Sequence, residues 1–175
     1  NRVGTVAAFI SLRIGWENMS RSFGLTEKMI GKGIKIRNIE AKDVPQIVAI
    51  QESIIRKKVS KKWIQMVKDH LQKREGRGFV ALKDAQVVGF IIGEIKGEGF
   101  GLEQSGWLEV VEVHPNQMGI GIGRALADKL FDFFKKKGIH DIYTTVRWDA
   151  GDMLSFFKSL GFDRSIFINL SKHLD

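Results

Sequence analysis

The sequence predicts a single α/β domain in which helices cover the faces of a mixed β-sheet. Some segments alternate apolar and polar residues, as strands do, whereas in others apolar residues recur every three to four positions, as in helices. The 175 residues are 43% hydrophobic and 27% charged, which is typical of a soluble globular protein. This length suits one core, and no internal repeat or interdomain linker is evident.

The predicted elements follow one another from residue 34 in the order β, α, α, β, β, β, α, β, α, β. Asp43 is placed to cap the first helix, and Pro45 is tolerated in its first turn. Two apolar strands around Asp84, Ala85 and Gln86 indicate a β-hairpin. The remaining segments are strands at 34–39, 107–113, 141–146 and 164–170, and helices at 60–73, from the loop after 113 to about 137, and at 151–160.

The residue counts exclude several classes of site. Without cysteine the chain has no disulfide, thiol nucleophile or cysteine-based zinc site, and its four histidines lack metal-binding spacing, so no metal is expected. The net charge of +8 favours anionic partners, but the basic residues are dispersed and nucleic acid binding is not expected. No segment is long and apolar enough to span a membrane, so we expect a cytoplasmic protein.

A glycine-rich loop, MGIGIGR at residues 118–124, joins a strand to an amphipathic helix. Glycine allows a close backbone approach, and the unpaired N–H groups of a helix's first turn suit phosphate oxygens. A Walker loop would need GK[ST] and a dinucleotide fingerprint GxGxxG, and neither occurs here. A phosphate-binding loop and a tight turn without a ligand both stay open on these residues alone.

The segment VEVHPNQMGIGIGRAL resembles the acetyl-CoA-binding signature of the GNAT superfamily of N-acetyltransferases. Gly121 and Gly123 match its last two fixed positions, whereas Met118 stands where arginine or glutamine is usual. The segment MLSFFKSLGF is similar to a later motif, AxxFYxxLGF. The resemblance implies a GNAT-like fold, with six or seven mostly antiparallel strands, splayed central strands and helices on both faces. It makes 29–175 the N-acetyltransferase domain and 1–28 an N-terminal extension or vector-derived appendage.

The resemblance implies acetyl-CoA as the acyl donor. Backbone groups of β-strand residues would run beside the pantetheine arm, and amides of the loop would hold the pyrophosphate. Splayed strands need a break in pairing, which we expect as a bulge near Val111 or Glu112. The cofactor-binding residues that the resemblance implies are Val111, Val113, Met118, Gly119, Ile120, Gly121, Ile122, Gly123, Arg124 and Phe157.

Transfer to an amine requires that the ammonium group first lose a proton. The resemblance favours Glu109 as the catalytic base, with Glu112 as the second candidate; either could instead face solvent or pair with a lysine. A backbone N–H near Val111 or Val113 is the expected oxyanion donor.

The leaving thiolate has no evident proton donor. Phe157 occupies the usual tyrosine position of the later motif, and Tyr143 is the one tyrosine of the chain. A thiol pKa of about 8.5 allows water to protonate the thiolate. The expected activity is therefore acetyl transfer from acetyl-CoA directly to a primary amine of a small molecule, peptide or protein. The alternative is a weak or inactive acyl-CoA-binding module with a regulatory role, and a homodimer stays open.

Overall fold

Five strands form one sheet in the order β1-β2-β3-β4-β5 in the computed structural model, which describes residues 33–73, 75–97 and 103–174. β1 to β4 pair antiparallel, and β5 pairs parallel with β4. This confirms the predicted mixed, mostly antiparallel sheet, but in the described residues it has five strands rather than six or seven. The strands are β1 (Ile34–Asn38), β2 (Gly76–Lys83), β3 (Gln86–Lys96), β4 (Ser105–Val113) and β5 (Ile142–Thr144).

Two pairs of helices cover the two faces of the sheet. They are α1 (Val44–Ile55) and α2 (Lys61–Gln72) on one face, and α3 (Ile122–Lys136) and α4 (Gly151–Ser159) on the other. Because alternate residues of a strand face opposite sides, Val80, Phe90 and Ile92 pack against α1 and α2, whereas Ile91 and Leu108 pack against α3. No helix in the described part of the chain is long and apolar enough to cross a membrane.

The start of α1 is fixed to β1 by a buried ion pair. Asp43 is 1% exposed and accepts hydrogen bonds of 2.6 and 2.8 Å from the Arg37 guanidinium, and its Oδ2 also accepts from the Glu40 N–H at 2.8 Å. This bidentate contact places the first turn of α1 over the edge of the sheet. Asp43 stands at the N-cap position of α1 as predicted, but its side chain accepts no hydrogen bond from that helix and binds Arg37 and the Glu40 N–H instead.

The predicted hairpin is present, with Asp84 and Ala85 in the left-handed region at φ values of 49° and 65°. The predicted strand at 164–170 is wrong: the described residues form no strand there. Its alternating Ile166, Ile168 and Leu170 are exposed, and the backbone N–H of Phe167 bonds to the Ser165 hydroxyl instead of a neighbouring strand. Local hydrogen bonds of this kind compete with a β-ladder. Residues 1–28 lie outside the described ranges.

β4 and β5 part in the middle of β4. Their pairing runs only from Gly106 with Ile142 to Leu108 with Thr144, while β4 continues to Val113. The expected splay of the central strands is therefore present. The expected bulge is misplaced, because the register between β3 and β4 shifts between Leu108 and Val110, so that Glu109 is the extra residue. The bulge therefore comes directly after Leu108, the last residue of β4 that pairs with β5, rather than at Val111 or Glu112.

Candidate functional site

The gap between β4 and β5 opens onto the backbone of β4. The His114 N–H donates to the Val88 carbonyl at 2.8 Å, so the alternation of the antiparallel ladder turns the Glu112 backbone toward β3. The N–H and C=O groups of Val111 and Val113 consequently point away from β3, into the gap. An extended ligand could pair with this edge as an added strand does.

The glycine loop lies where β4 leads into α3. Gly119 and Gly121 have φ values of 81° and 86°, a conformation that residues with a Cβ resist, and Gly121 caps the N-terminus of α3. A Cβ at Gly119 would have no other atom within 4 Å. Met118 and Ile120 are 55% and 40% exposed. The loop is therefore open to a ligand on its outer side, above the N–H groups of the first turn of α3.

Two residues of the predicted site, Ile122 and Gly123, are required by the packing of the core. Ile122 is 1% exposed and packs in the core between α3 and the sheet. A Cβ at Gly123 would lie 3.2 Å from a ring carbon of Phe156, so glycine at this position allows α4 to approach α3 closely. Both residues can offer a ligand only their backbone N–H groups, as the resemblance implied.

Arg124 and Phe157 connect α3, α4 and the core. The Arg124 guanidinium donates to the carbonyl of Ser159 and, at 3.2 Å, to its hydroxyl. Phe157 is 5% exposed, with its ring centroid 5.4 Å from that of Phe156 and 5.3 Å from that of Phe162. Phe157 can therefore contribute an apolar wall but no proton. Arg124, which the resemblance implied as a cofactor-binding residue, thus also holds the end of α4 against α3.

Glu109 is paired with a lysine. Its Oε1 lies 2.7 Å from Lys96 Nζ, and its side chain is 32% exposed. The Lys96 ammonium also lies 4.4 Å from the centroid of the Trp107 ring. The Glu109 carboxylate is thus already engaged by an ammonium group of the chain itself.

Glu112 is in a different environment on the same face of β4. Burial under α1 raises the pKa of its carboxyl from 4.5 to about 7. The side-chain amide of Gln51 faces this carboxylate and, with its nitrogen turned toward it, donates to Oε2 at 3.1 Å. A carboxyl that titrates near neutral pH suits general base catalysis, because it is ionised in part and basic enough to take a proton.

An aromatic wall borders the gap on the same side. The Trp107 and Tyr143 rings stack with centroids 5.5 Å apart, and the Phe167 ring meets Tyr143 edge-on at 5.8 Å. The indole N–H of Trp107 donates to the buried Ser105 hydroxyl at 3.0 Å, which fixes the ring. In the described ranges, no three histidine, aspartate or glutamate side chains are grouped to hold a metal ion.

Gln51 and Lys96 also belong to the candidate site but were not predicted from the sequence. Each lies far along the chain from its partner carboxylate, Gln51 on α1 and Lys96 at the end of β3. No local pattern marks them. The register of β3 and β4 sets Lys96 beside Ser105, four positions from Glu109, and the two residues meet only through the ends of their side chains.

The model of the acetyltransferase (GNAT) family matches residues 37–162. An N-alpha-acetyltransferase from Sulfurisphaera tokodaii is 28% identical over 139 residues, which cover 75% of this chain and 81% of that protein. The matched range of the family model, residues 37–162, includes β4, the glycine loop and α4. Both motifs of the resemblance therefore lie within it.

Solved structures share the fold. A transcriptional regulator from Bacillus halodurans C-125 superposes with a TM-score of 0.69 at 22% identity, covering 81% of this chain and 99% of that one. The aminoglycoside acetyltransferase AAC(6')-Iy, in complex with a CoA bisubstrate analogue, has a TM-score of 0.71 at 15% identity, covering 82% of this chain and 100% of that one. At these identities the likeness shows the fold alone.

Proposed function

Because the chain belongs to the acetyltransferase (GNAT) family and is thus an acyl-CoA-dependent transferase, we propose that it moves the acetyl group of acetyl-CoA directly to a primary amine. The amine belongs to a small molecule, a peptide or a protein. The proposal rests on the end of β5 pairing at Leu108, which leaves the backbone edge of β4 open from Glu109 to Val113, next to the glycine loop.

Acetyl-CoA supplies an acetyl thioester when it is bound. Its pantetheine arm fits the free backbone groups of Val111 and Val113, and its pyrophosphate fits the N–H groups of the loop from Gly119 to Arg124. The open space beside Gly119 and the exposure of Met118 support this assignment. The Val111 or Val113 N–H would also stabilise the oxyanion that forms on the acyl oxygen.

Glu112 is our candidate for the base, ahead of Glu109. The incoming ammonium group must lose a proton before its nitrogen attacks the thioester carbonyl, and Glu112 would accept it, directly or through a water molecule. The raised pKa of its carboxyl supports this role, whereas the Lys96 ammonium bound at 2.7 Å argues against Glu109. Water would protonate the departing thiolate, since Phe157 has no proton to give.

A release assay tests the proposal. The protein is mixed with acetyl-CoA and a panel of primary amines and peptides, and free CoA thiol is measured together with the mass of each amine. We expect thiol release that depends on an amine and gives an acetylated product. No release with any amine, although acetyl-CoA binds, would overturn transfer and favour the second candidate.

The second candidate is an acyl-CoA-binding module of the same fold with a regulatory role. Phe157 favours it, because it leaves the usual tyrosine position without a hydroxyl group and lies in the core. The raised pKa of the Glu112 carboxyl speaks against it, since binding alone does not require a buried carboxyl group at this position.

A further inference from the structure

The Lys96 ammonium group fills a cation site at the edge of the gap between β4 and β5. It lies between the Glu109 carboxylate, at 2.7 Å, and the face of the Trp107 ring, at 4.4 Å from its centroid. A carboxylate and an aromatic face are the groups that would bind the second ammonium group of a polycationic substrate. Here the chain's own lysine occupies that place.

Two other carboxylates on this side of the sheet are also paired with lysines of the chain. Glu94 is bound by Lys73 at 3.0 Å, and Glu52 by Lys58 at 2.8 Å. Glu112 is half-buried, and burial favours its neutral form. Glu94 and Glu52 are therefore already paired with cations of the chain and would attract a cationic substrate less.

The turn between α1 and α2 extends over the same gap. Gln46, near the start of α1, accepts from the Val87 N–H on β3 at 2.9 Å, and Gln51 faces Glu112 on β4. A helix rises about 1.5 Å per residue and neighbouring strands lie about 4.8 Å apart. The last turn of α1, which ends at Ile55, therefore passes beyond β4 to the side where β5 has ended.

This turn carries positive charge without a compensating partner. Arg56 and Lys57 follow α1, and Lys61 and Lys62 begin α2. Among the residues that the structure describes, no carboxylate lies within ion-pair distance of these four side chains. The mouth of the gap is therefore electropositive on its α1 and α2 side, where an amine acceptor would enter.

We propose that Lys96 selects acceptors that carry an anionic group beside the reacting amine and rejects acceptors with a second cation there. The inference rests on the proposed function, whose acceptor class it narrows. An acceptor carboxylate would pair with the Lys96 ammonium, which is 43% exposed, and would meet the basic turn. A second cation would have to displace Lys96 from Glu109 and Trp107, and the basic turn would repel it.

Two peptides of equal length and identical N-terminus, with glutamates or with lysines at their second and third positions, test this selection. For both we would measure kcat/KM with acetyl-CoA, and equilibrium binding in the presence of CoA. We expect the wild type to favour the acidic peptide at least about fivefold. Lys96→Met should abolish the preference and Lys96→Arg should retain it. Lys42→Met is the matched control, because Lys42 forms a similar pair with Glu40 away from the gap and its loss should leave the ratio unchanged.

Equal rates for the two peptides, a preference for the basic one, or an unchanged ratio in Lys96→Met would overturn the selection while transfer activity stands. If neither peptide is acetylated, the equilibrium binding of the two peptides in the presence of CoA tests the selection. A preference for the acidic peptide that disappears in Lys96→Met would support the selection although transfer fails, and equal binding would overturn it. Thermal unfolding of Lys96→Met checks that the variant is folded.

Discussion

The side-chain amide of Gln51 lies against the carboxylate of Glu112, so that one helix position on α1 covers one strand position on β4. This contact removes the carboxyl group from water, and burial raises its pKa to about 7. With its nitrogen turned toward the carboxylate, the amide donates a hydrogen bond, which opposes a part of that rise. Glu112 is thus held in one orientation, at the open edge of β4, with a proton affinity suited to an exchange near neutral pH.

Replacing Glu112 should remove the base. Glu112→Gln is expected to lower kcat/KM about 100-fold and to abolish the limb of its pH profile that has a midpoint near 7. The measurement is the rate of CoA thiol release between pH 5.5 and 9 with one accepted amine. Glu109→Gln serves as the control and should change the rate with that amine less than about fivefold. A larger loss for Glu109→Gln than for Glu112→Gln would reverse the assignment.

The same group should make stability depend on pH. Its carboxyl has a pKa of about 7 in the folded chain and about 4.5 when exposed, so the folded state holds the extra proton between these values. The free energy of unfolding should therefore fall as pH rises from 5 to 8. Glu112→Gln has no such titration and should gain about 1–2 kcal/mol over the wild type across this range, after allowance for partial exposure and the Gln51 hydrogen bond.

Urea unfolding of both proteins at pH 5 and pH 8 measures this difference. The comparison between the proteins cancels the titration of all other groups that the two share. A difference that stays constant between the two pH values would show that the Glu112 carboxyl titrates at its ordinary value in the folded protein.

The Arg37 and Asp43 pair should hold α1 in place. Asp43→Asn is expected to cost about 2–3 kcal/mol of unfolding free energy, less than a fully buried pair because Arg37 is 30% exposed. The Arg37 hydrogen bonds lower the pKa of the Asp43 carboxyl, so its stabilising effect is present above the ordinary value of 3.8 and is lost as pH falls below it. Denaturant unfolding at pH 7 provides the measurement.

Asp163→Asn is the matched control, because Asp163 pairs with Lys158 at 3.0 Å on the exposed surface. Its replacement should leave stability unchanged within error. Equal losses of unfolding free energy in the two variants would show that the bidentate contact between Arg37 and Asp43 adds no stability beyond that of an exposed ion pair.

Elements specified by local pattern could be predicted from the sequence. The hairpin at Asp84 and Ala85 and the helix after Gly121 follow from apolar periodicity and turn residues, and both are present. The predicted helix at 151–160 is also present, as α4. The splay of β4 and β5 followed only from the resemblance, which brings knowledge of tertiary structure with it.

Features that depend on contacts across elements could not be predicted. Ile166 and Ile168 alternate as a strand would, but alternation creates a strand only where a neighbouring strand accepts its hydrogen bonds. The pairing of Lys96 with Glu109 depends on the register between β3 and β4, which sets Lys96 beside Ser105 at the same end of β4. The surroundings of the two glutamates therefore favour Glu112 over Glu109 as the candidate base, the reverse of the preference from the sequence. The catalytic role of both stays a prediction.

Acetyl-CoA should bind at the loop between β4 and α3, and titration calorimetry with acetyl-CoA measures this binding. Gly121→Val and Gly138→Val both place a β-branched residue at a positive φ, of 86° and 76°, at opposite ends of α3. We expect the wild type and Gly138→Val to bind acetyl-CoA alike, and Gly121→Val to bind it at least about tenfold more weakly. Equal affinity in Gly121→Val, or no binding by the wild type, would contradict binding at this loop.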